Sequence, residues 1–194
     1  IPNVDAVITT QELVRMIKES GLMFNELEPD SIDMPFGTVS GAGVIFGVTG
    51  GVTEAVLRRV VTNKSRTALL TVANCGQRGL EGIKEFDLQY GEQTIHIVVV
   101  SGLANAEKVI ERIKNGEKID FVEVMACPGG CVSGAGQPVG TLAMKKKRGE
   151  GLYQADKMSI LKHSEANPTL AGLYSGVLKG KVHELLHRTY VDKR

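Results

Sequence analysis

The stretch that decides the fold is Ile83 to Cys127, IKEFDLQYGEQTIHIVVVSGLANAEKVIERIKNGEKIDFVEVMAC. Ile83 to Tyr90 and Thr94 to Val100 alternate polar and apolar residues and are rich in β-branched and aromatic side chains. Gly91-Glu92 between them fits a tight turn, so the pair reads as an antiparallel hairpin. From Ala104 to Asn115 the period changes: Ala106, Val109, Ile110 and Ile113 fall on one helical face with charges between them, and Gly116 closes the helix. Phe121-Val122-Glu123-Val124-Met125-Ala126 then reads as a buried strand running into Cys127. Hairpin, helix and strand in succession predict an α/β fold with a mixed, mainly parallel sheet and flanking helices.

Upstream, Asp5 to Thr9 reads as a short buried strand, and Thr9-Thr10-Gln11-Glu12 is a capping box that opens a helix with Leu13, Met16 and Ile17 on one face, ending at Gly21. Phe24 to Val39 has no period. Ser40 to Gly51 carries five glycines among small and apolar residues, and helix resumes at about Val52. Thr67 to Val72 is strand-like. Beyond Pro138 the chain turns basic and then helical; Asn167-Pro168 is an N-cap followed by proline at the first helical position, with Ala171, Leu173, Tyr174 and Leu178 as the expected inner face. Residues 1–142 are expected to form one lobe and residues 143–194 a helical tail packed on it.

Composition excludes several classes of function. Lys plus Arg total 23 against 22 for Asp plus Glu, a net charge of +1 that provides no broad field for nucleic acid or an anionic membrane. No apolar run approaches a membrane span and no secretory leader opens the chain, so a cytoplasmic location is expected. The cysteines are Cys75, Cys127 and Cys131, an odd number that argues against a disulfide framework and for metal or redox chemistry.

Cys127 and Cys131 lie three residues apart in Met125-Ala126-Cys127-Pro128-Gly129-Gly130-Cys131-Val132-Ser133-Gly134-Ala135-Gly136-Gln137-Pro138. Iron in iron-sulfur clusters takes thiolates, and the inorganic sulfides take N–H donors. Gly129, Gly130 and Gly134 suit that role because glycine lets successive amides turn inward without a Cβ clash. Spacing alone leaves two readings open: metal ligation, or two small cysteines packed in a tight turn.

The whole string closely resembles the third cluster-binding motif of iron-only (FeFe) hydrogenases. Met34-Pro35-Phe36-Gly37, Ser40-Gly41-Ala42-Gly43 and Ile45-Phe46-Gly47-Val48-Thr49-Gly50-Gly51-Val52-Thr53-Glu54-Ala55 are similar to the family segment that lines the cluster pocket. The tail from Asn167-Pro168 to His183-Glu184-Leu185-Leu186-His187-Arg188-Thr189-Tyr190 looks like the small-subunit region that wraps the family's catalytic domain. The resemblance therefore spans nearly the whole chain.

The resemblance implies that Cys127 ligates a cubane 4Fe-4S cluster and that Cys131 ligates it and bridges it to a diiron subsite, together the H-cluster, where hydrogen is split or protons are reduced. Met125, Phe46 and Gly47 would line the pocket; without the motif, Met125 reads as buried strand and Phe46 as buried loop. Two further cluster cysteines and the usual proton-relay groups belong to earlier family motifs. The chain is thus expected to be part of a longer protein, whose missing N-terminal portion is a partner, and to bind no intact cluster by itself. A ferredoxin-type electron carrier is the implied redox partner. Lys145-Lys146-Lys147-Arg148 could attract one, although such a run reads more readily as a solvated loop. Cys75 matches no family motif, His96 reads as a strand residue, and His183 with His187 as surface or packing residues rather than a zinc pair. Thr53, where many catalytic members carry methionine, and Ala135, in place of a glycine, point toward a divergent or hydrogen-sensing branch. The runner-up class is the hydrogenase-like scaffold of iron-sulfur protein assembly; Gly47 to Val52 match the hydrogenase form of the pocket better. A plain dithiol redox protein ranks last, because that chemistry favours C-x-x-C at a helix start.

Overall fold

The computed structural model describes residues 4–31, 38–61, 72–73, 77–80, 82–187 and 189. β1 (Ile83–Tyr90) and β2 (Gln93–Ser101) form the expected antiparallel hairpin, closed by Tyr90 opposite Gln93 with Gly91 at φ +62°. Gly102, at φ +89°, turns the chain from β2 into α1 (Leu103–Lys114), and Gly116, at φ +92°, follows its end. The chain returns as β2's parallel neighbour β3 (Phe121–Met125), in register from Ile97 opposite Phe121 to Ser101 opposite Met125. The sheet order is β1-β2-β3, mixed as expected, with one antiparallel and one parallel pairing among the described strands.

β2 is central and buried on both faces from Ile97 to Val100. Val98 and Val100 pack against Ala106 and Val109 of α1 together with Val122. Ile97 points the opposite way, to Leu57 and Val72, with Phe86 and Phe121 around them. Each fully buried valine, leucine or isoleucine among them contributes about 1.5–3 kcal/mol by leaving water. Leu57 belongs to α2 (Gly51–Val60), so helices cover both faces of the sheet. Ahead of α2 come a one-turn helix, Gly41–Val44, capped by Ser40, and a 3-10 turn, Ile45–Gly47. α3 (Leu142–Met158) packs on these turns: Leu152 abuts Gly47 and Asp156 abuts Gly41.

The amino-terminal helix α4 (Thr10–Glu19) has its capping box, with Glu12 N–H donating to Thr9 Oγ1 and Thr9 N–H to Glu12 Oε2. The tail contributes α5 (Pro168–Ser175), capped by Asn167, and the short α6 (Val182–Leu186). Among the described residues no helix is long and apolar enough to cross a membrane.

Several expectations are corrected. Asp5 to Thr9 is exposed and unpaired, with Val7 at 87% exposure; no described strand lies beside it, and the Thr9 amide is taken by the capping box rather than by a ladder. β3 is less buried than its apolar run implied, because it is an edge strand among the described residues: Val124 is 47% exposed. Lys145 to Arg148 is not a loop but the first turns of α3, where Thr141 caps the helix and residues 142–147 are good helix formers. α5 ends at Ser175, and Ala171, Leu173 and Tyr174 remain exposed, with only Leu178 beyond it half-buried. Of the strand expected over Thr67 to Val72 only Val72 is described, in a helical turn. Met34 to Gly37 and Cys75 lie outside the described residues.

Candidate functional site

Alternation along β3 sends Phe121, Glu123 and Met125 to the face that α2 covers, and Val122 to the face of α1. At the strand's end the Met125 carbonyl accepts the Gly102 N–H at 2.8 Å, and the chain leaves the sheet through Ala126, Cys127 and Pro128, all exposed. Gly129 and Gly130 follow, buried, at φ +88° and +83°. Gly130 N–H donates to the Cys127 carbonyl at 2.9 Å, and Gly134 N–H to the Cys131 carbonyl at 3.1 Å across the 3-10 turn Cys131–Ser133. Both thiols are free and exposed. They belong to one small region: a Cβ on Gly134 would stand 3.6 Å from Cys127 Sγ and 3.9 Å from Cys131 Cα.

Three braces hold this loop. The first is the segment before α2. Thr49 N–H donates to the Gly129 carbonyl, and Gly130 approaches so closely that a Cβ there would lie 2.9 Å from both the Gly47 carbonyl oxygen and the Thr49 nitrogen. The second is Ser101 at the end of β2, whose hydroxyl accepts the Gly129 N–H at 2.8 Å and donates to the Leu80 carbonyl at 2.7 Å. The third is Arg148 of α3, whose guanidinium donates to the carbonyls of Val132 at 3.2 Å and Pro138 at 2.7 Å. Under the wall segment, the buried Glu123 carboxylate accepts from Gly50 N–H, Thr53 N–H and the Thr53 hydroxyl, each at 2.6 Å.

Phe46 and Gly47 stand on the wall that meets the loop, and Met125 precedes it. Met125 and Gly47 are half-buried, but Phe46 is 47% exposed, which corrects its reading as buried loop. Its 3-10 turn buries Ile45 instead and points the ring outward. The amides of Gly129, Gly130 and Gly134 each have an internal acceptor, so what these glycines supply here is shape rather than spare donors. Beside the loop lies a cavity of about 480 Å³ lined by Ser101, Gly102, Leu103, Asn105, Ala126 and Pro128.

The donor set suits iron. Two exposed thiols spring from one braced turn, and the buried hydroxyls of Thr49 and Ser133, on the wall and the loop, have no partner among the described residues. Two thiolates are half of what a cubane takes. The fit is therefore that of a partial ligand set.

The remaining candidates lie elsewhere. His96 on β2 faces Asp87, with Nδ1 2.7 Å from the carboxylate, beside Glu85 and Glu117, both of which Arg112 binds. His183 and His187 meet edge to face, their Nδ1 atoms 2.8 Å apart, exposed at the end of α6. Lys146 and Lys147 are exposed on α3. Sequence reasoning missed Glu123 and Ser101, and read Arg148 as part of a basic run rather than as a brace of the loop. The available signal for Glu123 was an acidic residue on the same strand face as Phe121 and Met125.

Residues 2–135 match the family described as iron only hydrogenase large subunit, C-terminal domain. The chain belongs to the iron-only hydrogenase family. Residues 142–193 match iron hydrogenase small subunit. The chain is 38% identical to the NADP-reducing hydrogenase subunit HndD of Solidesulfovibrio fructosivorans, over 100% of this chain and 34% of that one. It is 30% identical to cytosolic iron-sulfur assembly component 3 of Bos taurus, over 97% of this chain and 41% of the relative. A solved FeFe-hydrogenase of Chlamydomonas reinhardtii superposes with a TM-score of 0.67 at 36% identity, over 97% of this chain and 56% of that structure. This iron-only hydrogenase chain thus spans about a third of its hydrogenase relative's length.

Proposed function

We propose that this chain is one lobe of an FeFe-hydrogenase catalytic domain, with residues 143–194 as its small-subunit-like tail. Cys127 and Cys131 would supply two of the four thiolates that hold a cubane 4Fe-4S cluster, and Cys131 would serve its diiron subsite as well. The observation that carries the reading is that both thiols are exposed on a turn fixed from three sides, whereas packed structural cysteines would be buried. When bound, the iron group supplies reversible hydrogen oxidation and proton reduction. Gly129 and Gly130 let the loop seat against Gly47 and Thr49, Arg148 keeps the turn after Cys131 in place, and Met125 and Phe46 would line the pocket. The other two thiolates come from outside these 194 residues, so the chain alone turns over no hydrogen. A ferredoxin-type carrier exchanges the electrons, in the cytoplasm.

The 30% identity with the assembly component over nearly the whole chain favours one second reading, a non-catalytic iron-sulfur scaffold built on the same two thiolates. Anaerobic reconstitution, with iron, sulfide and hydrogen measured, separates them. A holoprotein with all four thiolates evolves hydrogen from a reduced carrier, and the chain alone does not. A full cluster without turnover indicates the scaffold; turnover by the chain alone contradicts the partial ligand set.

A further inference from the structure

We infer that Glu123 is a positioning residue that fixes the thiolate loop against the pocket wall, an inference that rests on reading Cys127 and Cys131 as cluster ligands. Glu123 stands four residues ahead of Cys127 on a strand that pairs on one side only among the described residues. It is 5% exposed, and the Lys84 ammonium acts on it through charge rather than by a hydrogen bond. A buried carboxylate is costly unless strong donors compensate it. Here the donors are the Gly50 and Thr53 amides and the Thr53 hydroxyl, at the N-terminus of α2, whose positive end favours an anion.

What this contact joins gives it meaning beyond capping. Its partners begin one residue after Thr49, the residue that donates to Gly129, and the same wall carries Phe46 and Gly47. The strand end therefore has three links: the ladder that ends at Ser101 opposite Met125, the Gly102 amide on the Met125 carbonyl, and Glu123. Of these only Glu123 ties the strand to the wall; the first two tie it to β2 and the turn after it. The chemistry requires glutamate. Aspartate is a methylene too short to span strand and helix, and glutamine would turn an NH2 toward a backbone N–H. Groups that orient metal ligands from behind commonly matter about 10- to 100-fold for metal affinity.

The test uses the assembled holoprotein, reading iron retention against a chelator and the cluster's electron paramagnetic resonance spectrum. Glu123→Gln is expected to weaken iron retention by about 10- to 100-fold and to shift or broaden the spectrum, with Glu123→Asp behaving similarly. Val109→Ala, on the opposite face of the sheet, lowers stability and leaves both readouts at wild type. If Glu123→Gln does not fold, Thr53→Val, which removes one donor and leaves both amide contacts, is read for a smaller change of the same kind. Wild-type behaviour of the folded Glu123 or Thr53 variant, or equal effects from Val109→Ala, would overturn the inference. A wild-type holoprotein without a cluster on Cys127 and Cys131 would instead count against the functional reading itself.

Discussion

Arg58 and Asp156 meet in a buried two-point contact, Nη1 to Oδ1 at 2.8 Å and Nη2 to Oδ2 at 2.7 Å, which joins α2 to α3. Glu54, one turn earlier on α2, takes Arg58 Nη2 at 2.6 Å and is itself bound by Arg78 and Gln77. The network fits so closely that a Cβ on Gly41 would stand 1.9 Å from Asp156 Oδ1. Asp156→Ala removes one partner and leaves the guanidinium with one carboxylate too few. Denaturant unfolding should show a loss of about 3–5 kcal/mol.

Acid should act through the same network. Burial pushes the Glu54 carboxyl up, but the hydrogen bond and charge of Arg78, then those of Arg58, outweigh it and hold the group below its ordinary value of 4.5. A carboxyl lowered on folding contributes stability that is complete above 4.5 and is lost as pH falls through the lowered folded value. Melting temperatures taken stepwise from neutral pH should therefore drop below pH 4.5, and Glu54→Gln should flatten part of that drop while lowering stability at neutral pH.

His96 has the opposite sign. The Asp87 hydrogen bond raises its pKa, burial opposes it, and the charges of Asp87, Glu85 and Glu117 add to the rise. The stability contributed by the protonated ring is complete below the ordinary 6.5 and is lost as pH rises through the elevated folded value. Proton NMR should place the His96 midpoint above 6.5, and Asp87→Asn should bring it down.

Two glycines of the loop should respond differently to one methyl group. At Gly130, φ +83° and backbone atoms 2.9 Å from the new Cβ leave no room, so Gly130→Ala should cost about 1–3 kcal/mol or more in thermal unfolding. Gly134 has φ −65°, and its Cβ would meet Cys127 Sγ at ordinary contact distance, with the Cys131 carbonyl at 3.3 Å. Gly134→Ala should change stability by about 1 kcal/mol or less yet reduce iron retention, because the methyl stands against the thiol.

The hairpin was legible because alternation and Gly91 agree, and α1 because its apolar period and Gly116 agree. Asp5 to Thr9 misled because an apolar run signals a strand only where a neighbouring strand can accept its ladder. Lys145 to Arg148 misled because its charge suggested a loop, while Thr141 supplied the cap that starts a helix. That Cys127 and Cys131 share one glycine-rich loop at a strand end was legible from the string of residues. Its braces were not, because Glu123 and Thr53 stand 70 residues apart and Arg148 reaches back 16 residues to Val132. Contacts of that span depend on how α2 and α3 pack, which no local period encodes.

The most direct test of the thiolate assignment is the iron and sulfide content of the assembled holoprotein, with its Mössbauer spectrum, for Cys75→Ser, Cys127→Ser and Cys131→Ser. The prediction is that Cys75→Ser keeps the full cluster, while Cys127→Ser and Cys131→Ser each lose the wild-type four-iron signature. An unchanged four-iron spectrum in both Cys127→Ser and Cys131→Ser would contradict the account.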